Sequence, residues 1–202
     1  MSPEFLLTAF IVCITPGIGV IYTLSMTLGG GWRAGVWAAI GCTLATVLHL
    51  AVALAGLAAL LLTSALLFQA VKFAGVAYLL WMAWAVLQGS GGMDIAPAAP
   101  APALRVIWRG ILLNILNPKL PLFFVAFLPQ FLPAEGATLA QMAELGAGFS
   151  AMTLLTFLFY AGLAASGRQM LLDSPSVMRW MRRAFAASFA ALGLRLAMER
   201  AA

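Results

Sequence analysis

Charge is what this chain has least of. Only 8% of its 202 residues are Asp, Glu, Lys or Arg, 64% are hydrophobic, and the mean hydropathy is +1.04. A soluble domain is usually about 25% charged and about 45–50% apolar. No soluble core of this size could hide so much apolar surface, so lipid must be the solvent for most of the chain. Acidic groups are scarcest, 6 Asp and Glu against 11 Lys and Arg. In a soluble protein that excess of base would suggest nucleic acid. Here the basic residues are scattered among loops, which points to membrane orientation and to no nucleic-acid partner. The chain has 1 histidine and 2 cysteines, Cys13 and Cys42, both within apolar runs. They offer no metal-ligand spacing, no disulfide framework and no convergent catalytic set. An intramembrane enzyme, a metal site and a cofactor are therefore not expected. Nor is there a nucleotide-binding loop or a soluble domain. The start, "MSPEFLLTAFIVC", lacks a basic region and a small-residue cleavage site, so it reads as a retained first span.

What the chain has in quantity is spans. A span needs about 20 mostly apolar residues. Candidates run over Phe5–Leu28, Val36–Leu62, Val71–Leu87, Val106–Leu132 and Leu145–Ala165, with a shorter sixth, Ala184–Met198, that carries Arg195. The Gly, Ser, Pro and Ala of residues 89–104 form a linker that divides the chain into halves, 1–88 and 105–202. The whole, 1–202, is read as a single transmembrane domain. If the spans alternate, Arg33, Arg105, Arg109, Arg168, Arg179, Arg182 and Arg183 share one side. Lys72, Arg195 and Arg200, with Glu4, Glu135, Glu144 and Glu199, fall on the other. The positive-inside rule then sets the linker inside and both termini outside. Three spans per half force the halves to run in opposite senses, an inverted 3+3 repeat. The expected fold is thus an all-α polytopic membrane protein of six transmembrane helices.

Two spans are interrupted in mid-membrane. The first contains Thr15-Pro16-Gly17, and the fourth contains Asn117-Pro118-Lys119, each about ten residues into its apolar run. Proline has no N–H and clashes with the preceding turn. Thr and Asn are good N-caps, and proline suits a first helical position. Both segments therefore read as a helix that stops and restarts, with Gly17 and Gly19 opening the first break further. A restarted helix exposes backbone N–H groups and the positive end of its dipole. Such backbone survives at membrane depth only inside protein or beside a cavity, and matched breaks in two halves point to a transporter's central site. Lys119 would add its ammonium to the dipole there and attract an anion such as an amino-acid carboxylate. Asn114, one turn before Pro118, could line the same cavity. The bland alternative is that the prolines merely kink two helices and Lys119 snorkels to an interface.

The stretch "GILLNILNPKLPLFFVAFLPQF", Gly110 to Phe131, closely resembles the LysE/RhtB family of amino-acid exporters. So do "TPGIGVIYTLSMTLGGGWRAGVWAAIG" with its Gly-rich first loop, "VKFAGVAYLLWMAWAVL" and "ALGLRLAM". The resemblance implies a multi-pass protein of the bacterial inner membrane that exports amino acids or close derivatives on the proton motive force. It carries over Thr15, Pro16 and Gly17 in the first span, and Asn117, Pro118 and Lys119 in the fourth. Where the family usually continues Pro-Gly with Pro-Asn, this chain has Ile18 and Gly19, so the cargo of any one relative does not transfer.

His49, midway along the second span, is a candidate for proton coupling, or a neutral residue bonded to a neighbouring helix. Glu144, at the edge of the fifth span, is the other coupling candidate, since no span has a central Asp or Glu. Gly31-Gly35 and Gly162-Ser166 have a spacing that suits close helix packing. Trp81, Trp84 and Trp180 fit interfacial belts, and Arg179, Arg182 and Arg183 fit headgroup contact. The expected partners are an amino-acid-like substrate and membrane lipids, with a homodimer left open. A passive channel and a non-transporting assembly subunit are the rival functions.

Overall fold

The computed structural model describes residues 1–15, 17–60, 97–116, 128–132, 138–167 and 175–198, with single positions between 73 and 88 and at 120 and 124. Among them there is helix and no strand. The helices are α1 (Pro3–Ile14), α2 (Ile18–Leu60), α3 (Ala103–Ile115), α4 (Leu139–Ser166) and α5 (Pro175–Met198). A short 3-10 turn covers Leu128–Phe131. Among the described residues, two stretches are long and apolar enough, by length and composition, to cross a membrane, Ile18–Ala53 and Leu139–Ser166.

α1 begins as its sequence dictates. Ser2 caps it by accepting from the Phe5 N–H at 3.2 Å, Pro3 stands in the first turn, and Glu4 meets the positive end of the dipole. It ends at Ile14, and helix resumes at Ile18. The expected interruption of the first span is therefore present. α2 is two limbs rather than one rod. Gly31, at φ 73° and ψ −175°, breaks the helix between them. Only glycine takes that conformation without strain. The limbs then double back: Cys42 Sγ lies 3.8 Å from the Gly19 carbonyl, and Thr27 abuts Gly35. This corrects two expectations. The Gly-rich first loop is a single-residue turn, so helix resumes at residue 32, ahead of the apolar run that begins at Val36. Gly31 is that turn, not one half of a packing pair.

α4 also starts earlier than Leu145, because Thr138 and Gln141 form a reciprocal capping box ahead of it. Glu144 thus lies within the helix rather than at its edge. α5 begins at Pro175, nine residues before Ala184, and so includes the Arg179–Arg183 cluster. The linker's last residues lie on the first limb of α2, where the Ala98 N–H donates to the Ser25 carbonyl at 3.0 Å.

The first limb of α2 is central. Val20, Leu24 and Leu28 pack with Ala39 and Cys42 of the second limb and with Phe157, Tyr160 and Ala164 of α4. α3 lies along both limbs. It is antiparallel to the first, with Asn114 at Gly19 and Val106 at Tyr22 and Met26. It is parallel to the second, with Gly110 at Ala38 and Cys42 and Asn114 at His49. α4 follows α1 and then the first limb in the same direction, from Phe5 at Phe149 to Tyr160 at Ile14 and Phe157 at Gly19.

The burial pattern is that of a membrane protein, with hydroxyls among the buried core and large apolar side chains facing outward. Thr8, Thr15, Thr23, Thr27, Thr46, Ser150, Thr153 and Thr156 are buried, while Leu7, Phe10, Val52, Leu112, Leu155 and Phe159 face outward. The inward hydroxyls mostly donate to the carbonyl four residues back in their own helix, as Thr23 does to Gly19 at 2.8 Å and Thr153 to Phe149 at 2.8 Å. Each polar group is thereby bonded without water.

Candidate functional site

Thr15 closes α1 as its C-cap, with φ −69° and ψ 110°. Its N–H and hydroxyl both donate to the Ile11 carbonyl, at 3.1 and 2.6 Å. Its backbone has already turned extended, so it ends one helix rather than capping the next. The restart belongs to Gly17, whose carbonyl accepts from the N–H groups of Val20 and Ile21 at 3.1 and 3.2 Å. The shift past Thr15 has a simple cause: the residue before a proline is pushed out of the α region.

A cleft opens beside this break. It holds about 320 Å³ of space unfilled by atoms, part of it open, between Val12, Cys13, Gly17, Gly19, Asn114 and Thr153, with Phe149, Phe157, Val20 and Leu120 as its apolar walls. The room accessible within it is about 20 Å³, space for about one water rather than the about 300–1,000 Å³ of a small-molecule pocket, so what the cleft shares with such pockets is its apolar walls and a few fixed polar groups. The polar groups here are backbone at Gly17, the Asn114 amide and the Thr153 hydroxyl. Among the described residues no cluster of 3 or more His, Cys, Asp or Glu side chains comes together. The chemistry on offer is recognition by dipoles and hydrogen bonds.

Asn114 is the hub. It is 1% exposed, and its amide donates to the Cys42 carbonyl at 2.9 Å. A Cβ on Gly19 would stand 3.0 Å from its Oδ1. The Cys42 thiol is turned to the Gly110 and Gly19 carbonyls at 3.7 and 3.8 Å. Three segments therefore meet at this one asparagine: both limbs of α2, and α3. His49 joins them, its Nε2 lying 3.2 Å from the Asn114 carbonyl.

Of the residues expected at a binding site, Gly17, Gly19 and Asn114 come together at the cleft. Thr15 stands immediately before it, bonded into α1. The expectations for Pro16, Asn117, Pro118 and Lys119 lie outside the described residues. Leu120, directly after the last of these, does line the cleft. Glu144 is elsewhere: it is exposed near the start of α4, paired with the Met1 amino group at 3.0 Å.

Several contributors had no mark in the sequence. Tyr160 sends its hydroxyl to the Ile14 carbonyl at 2.7 Å, serving the last residue of α1. Cys13 and Thr153 approach to 3.3 Å across the cleft wall. A lone tyrosine within an otherwise apolar span was the available signal, since a buried hydroxyl needs a partner. Two of the phenylalanines after Lys119, Phe124 and Phe131, pack into the core. Phe124 stacks edge-on against Phe149 of α4 at 5.3 Å, and Phe131 against Phe5 of α1 at 5.3 Å.

Comparison with known proteins agrees with the sequence motifs. The chain is 30% identical over 197 residues to a homoserine/homoserine lactone efflux protein of Salmonella typhimurium, which covers 97% of this chain and 95% of that one. It is 30% identical over 199 residues to an uncharacterized membrane protein of Vibrio cholerae, covering 98% and 96%. A leucine efflux protein of an Enterobacter species is 29% identical over 167 residues, covering 81% and 77%. No solved structure matches. The family model for the LysE type translocator matches residues 10–200, nearly the whole length, and the chain belongs to that family.

Proposed function

We propose that the chain is a secondary exporter of amino acids or close derivatives, driven by the proton motive force across a bacterial inner membrane. The observation that carries this is the cleft at the first helix break, where Gly17 and Gly19 face Asn114 and Leu120, the flanks of the Asn117-Pro118-Lys119 segment. The efflux relatives support the substrate class. In this reading Thr15, Pro16, Gly17, Gly19, Asn114, Asn117, Pro118 and Lys119 form the substrate site. Exposed helix-start N–H groups and the Lys119 ammonium hold the carboxylate.

The six-span inverted repeat is part of the proposal. Its support is directional: α3 runs against the first limb of α2, and α4 runs with it, as alternating spans would. Candidate carriers of the proton are the substrate's own groups, Lys119, His49 and Glu144. Of the last two, only His49 touches a residue of the cleft.

The test is efflux from proteoliposomes preloaded with a mixed amino-acid pool, with and without a pH gradient. Saturable, gradient-dependent loss of selected solutes is expected, with Lys119→Ala abolishing it while insertion stays intact. Non-saturating, gradient-independent loss would indicate a passive channel, and no selective loss would favour a non-transporting subunit.

A further inference from the structure

In an uninterrupted helix the Asn114 carbonyl would accept the N–H of residue 118. Residue 118 is proline and has none, whatever its conformation. His49 Nε2 stands 3.2 Å from that same carbonyl oxygen. A carbonyl only accepts, so this bond requires a proton on Nε2. The Leu116 N–H that ends α3 reaches the Leu112 and Asn114 carbonyls as well, and two lone pairs accommodate both donors. The first break is served in the same manner, by the Tyr160 hydroxyl on the Ile14 carbonyl at 2.7 Å. The C-terminal ends of α1 and α3 thus each receive a side-chain donor from a neighbouring helix.

We propose that His49 is a positioning residue: its Nε2–H, held on the Asn114 carbonyl, fixes the end of α3 and aims the Asn114 amide at Gly19 and the cleft. This rests on the transporter reading above. The line of contact is short. His49 holds the Asn114 backbone, and the Asn114 side chain bonds Cys42 at 2.9 Å and lines the cleft. Any proton the ring gains or loses does so at Nδ1, with Nε2–H kept in place. The charged groups on the packed helices, Arg105 and Arg109 on α3 and Glu144 on α4, are exposed on the outside of the bundle.

The chain has 1 histidine, so ring ¹⁵N labels report on His49 alone. The measurement uses full-length protein, freed of any histidine tag, in lipid nanodiscs. The expected spectrum has Nε2 protonated and hydrogen-bonded. A bare Nε2 overturns the proposal. The second arm is efflux. His49→Gln can still offer an N–H, and His49→Leu cannot. We expect Gln to stay within about twofold of the parent and Leu to fall about tenfold or more, the scale of one buried hydrogen bond. The Gln variant should also keep the parent's pH profile. A Gln variant as inactive as Leu, or one whose pH dependence is flattened, would make His49 a proton carrier and sink the positioning role. If Leu fails to insert, the ¹⁵N spectrum and the Gln variant still decide. Absence of efflux from the parent would count against the transporter reading, and the spectrum would still test the bond.

Discussion

A methyl group at residue 19 would meet Phe157 Cζ at 2.9 Å and the Asn114 Oδ1 at 3.0 Å. The phenyl edge can yield. The asparagine cannot move freely, because it is buried and its amide is committed to Cys42. Gly19→Ala should therefore push Asn114 out of its place. We expect a loss of about 1–3 kcal/mol, the usual cost of overpacking, measured by thermal unfolding in detergent. Efflux should fall with it while membrane insertion is kept. Unchanged unfolding and efflux would mean the contact is soft. The departure from the family's usual Pro-Asn at residues 18 and 19 was legible in the sequence. Its physical meaning was not, since nothing in the linear chain says that Asn114 fills the space beside Gly19. The single histidine was legible in the same limited way: its partner is a backbone carbonyl, which has no sequence mark.

At the scale of elements, punctuation by proline was readable and punctuation by glycine was not. Thr15-Pro16 announces the end of α1, because a proline both removes a donor and crowds the preceding turn. "GGGWRAG" contains four glycines, and only Gly31 adopts a positive φ. Nothing lies within 4 Å of a Cβ built on Gly31, so crowding plays no part there. Gly31→Ala isolates the backbone term. It should cost about 1–3 kcal/mol, read as a lowered unfolding temperature, with no new packing defect. The same change at Gly30 leaves a helical backbone and should be milder in its conformational cost. Equal unfolding temperatures for Gly31→Ala and the parent would mean the turn tolerates a side chain. The lengthening of α4 over its expected start has a local cause that the sequence did display. Thr138 and Gln141 have capping-box spacing, which a search for apolar runs passes over.

At the scale of the molecule, the described charges of the first four helices sort by end. The Gly31 turn, Arg33 and Ala98 with the start of α3 lie together, since Ala98 bonds Ser25 and Trp32 approaches Gly162 near the end of α4. Met1, Glu4 and Glu144 lie at the opposite end. The orientation expected from the arginines is tested by labelling these two ends. Single cysteines at Arg33 and Glu144, in a background with Cys13 and Cys42 replaced, should label from opposite faces in intact cells and inverted vesicles. The expectation is Arg33→Cys from the cytoplasm and Glu144→Cys from outside. Labelling of both from one face would end the alternating-span reading.

The broken first helix also bears on how the protein enters the bilayer. α1 has 12 residues, and the first limb of α2 ends at the Gly31 turn. At about 1.5 Å per residue each is near 20 Å long, too short to cross a hydrocarbon core of about 30 Å. In the six-span reading only their sum crosses, and the Ile14 carbonyl at its centre lacks its Tyr160 donor until α4 is in place. Tyr160 is synthesised long after residue 30. On that reading the middle of the nascent first span stays open during translation, and its completion waits for α4, which the order of synthesis delivers late.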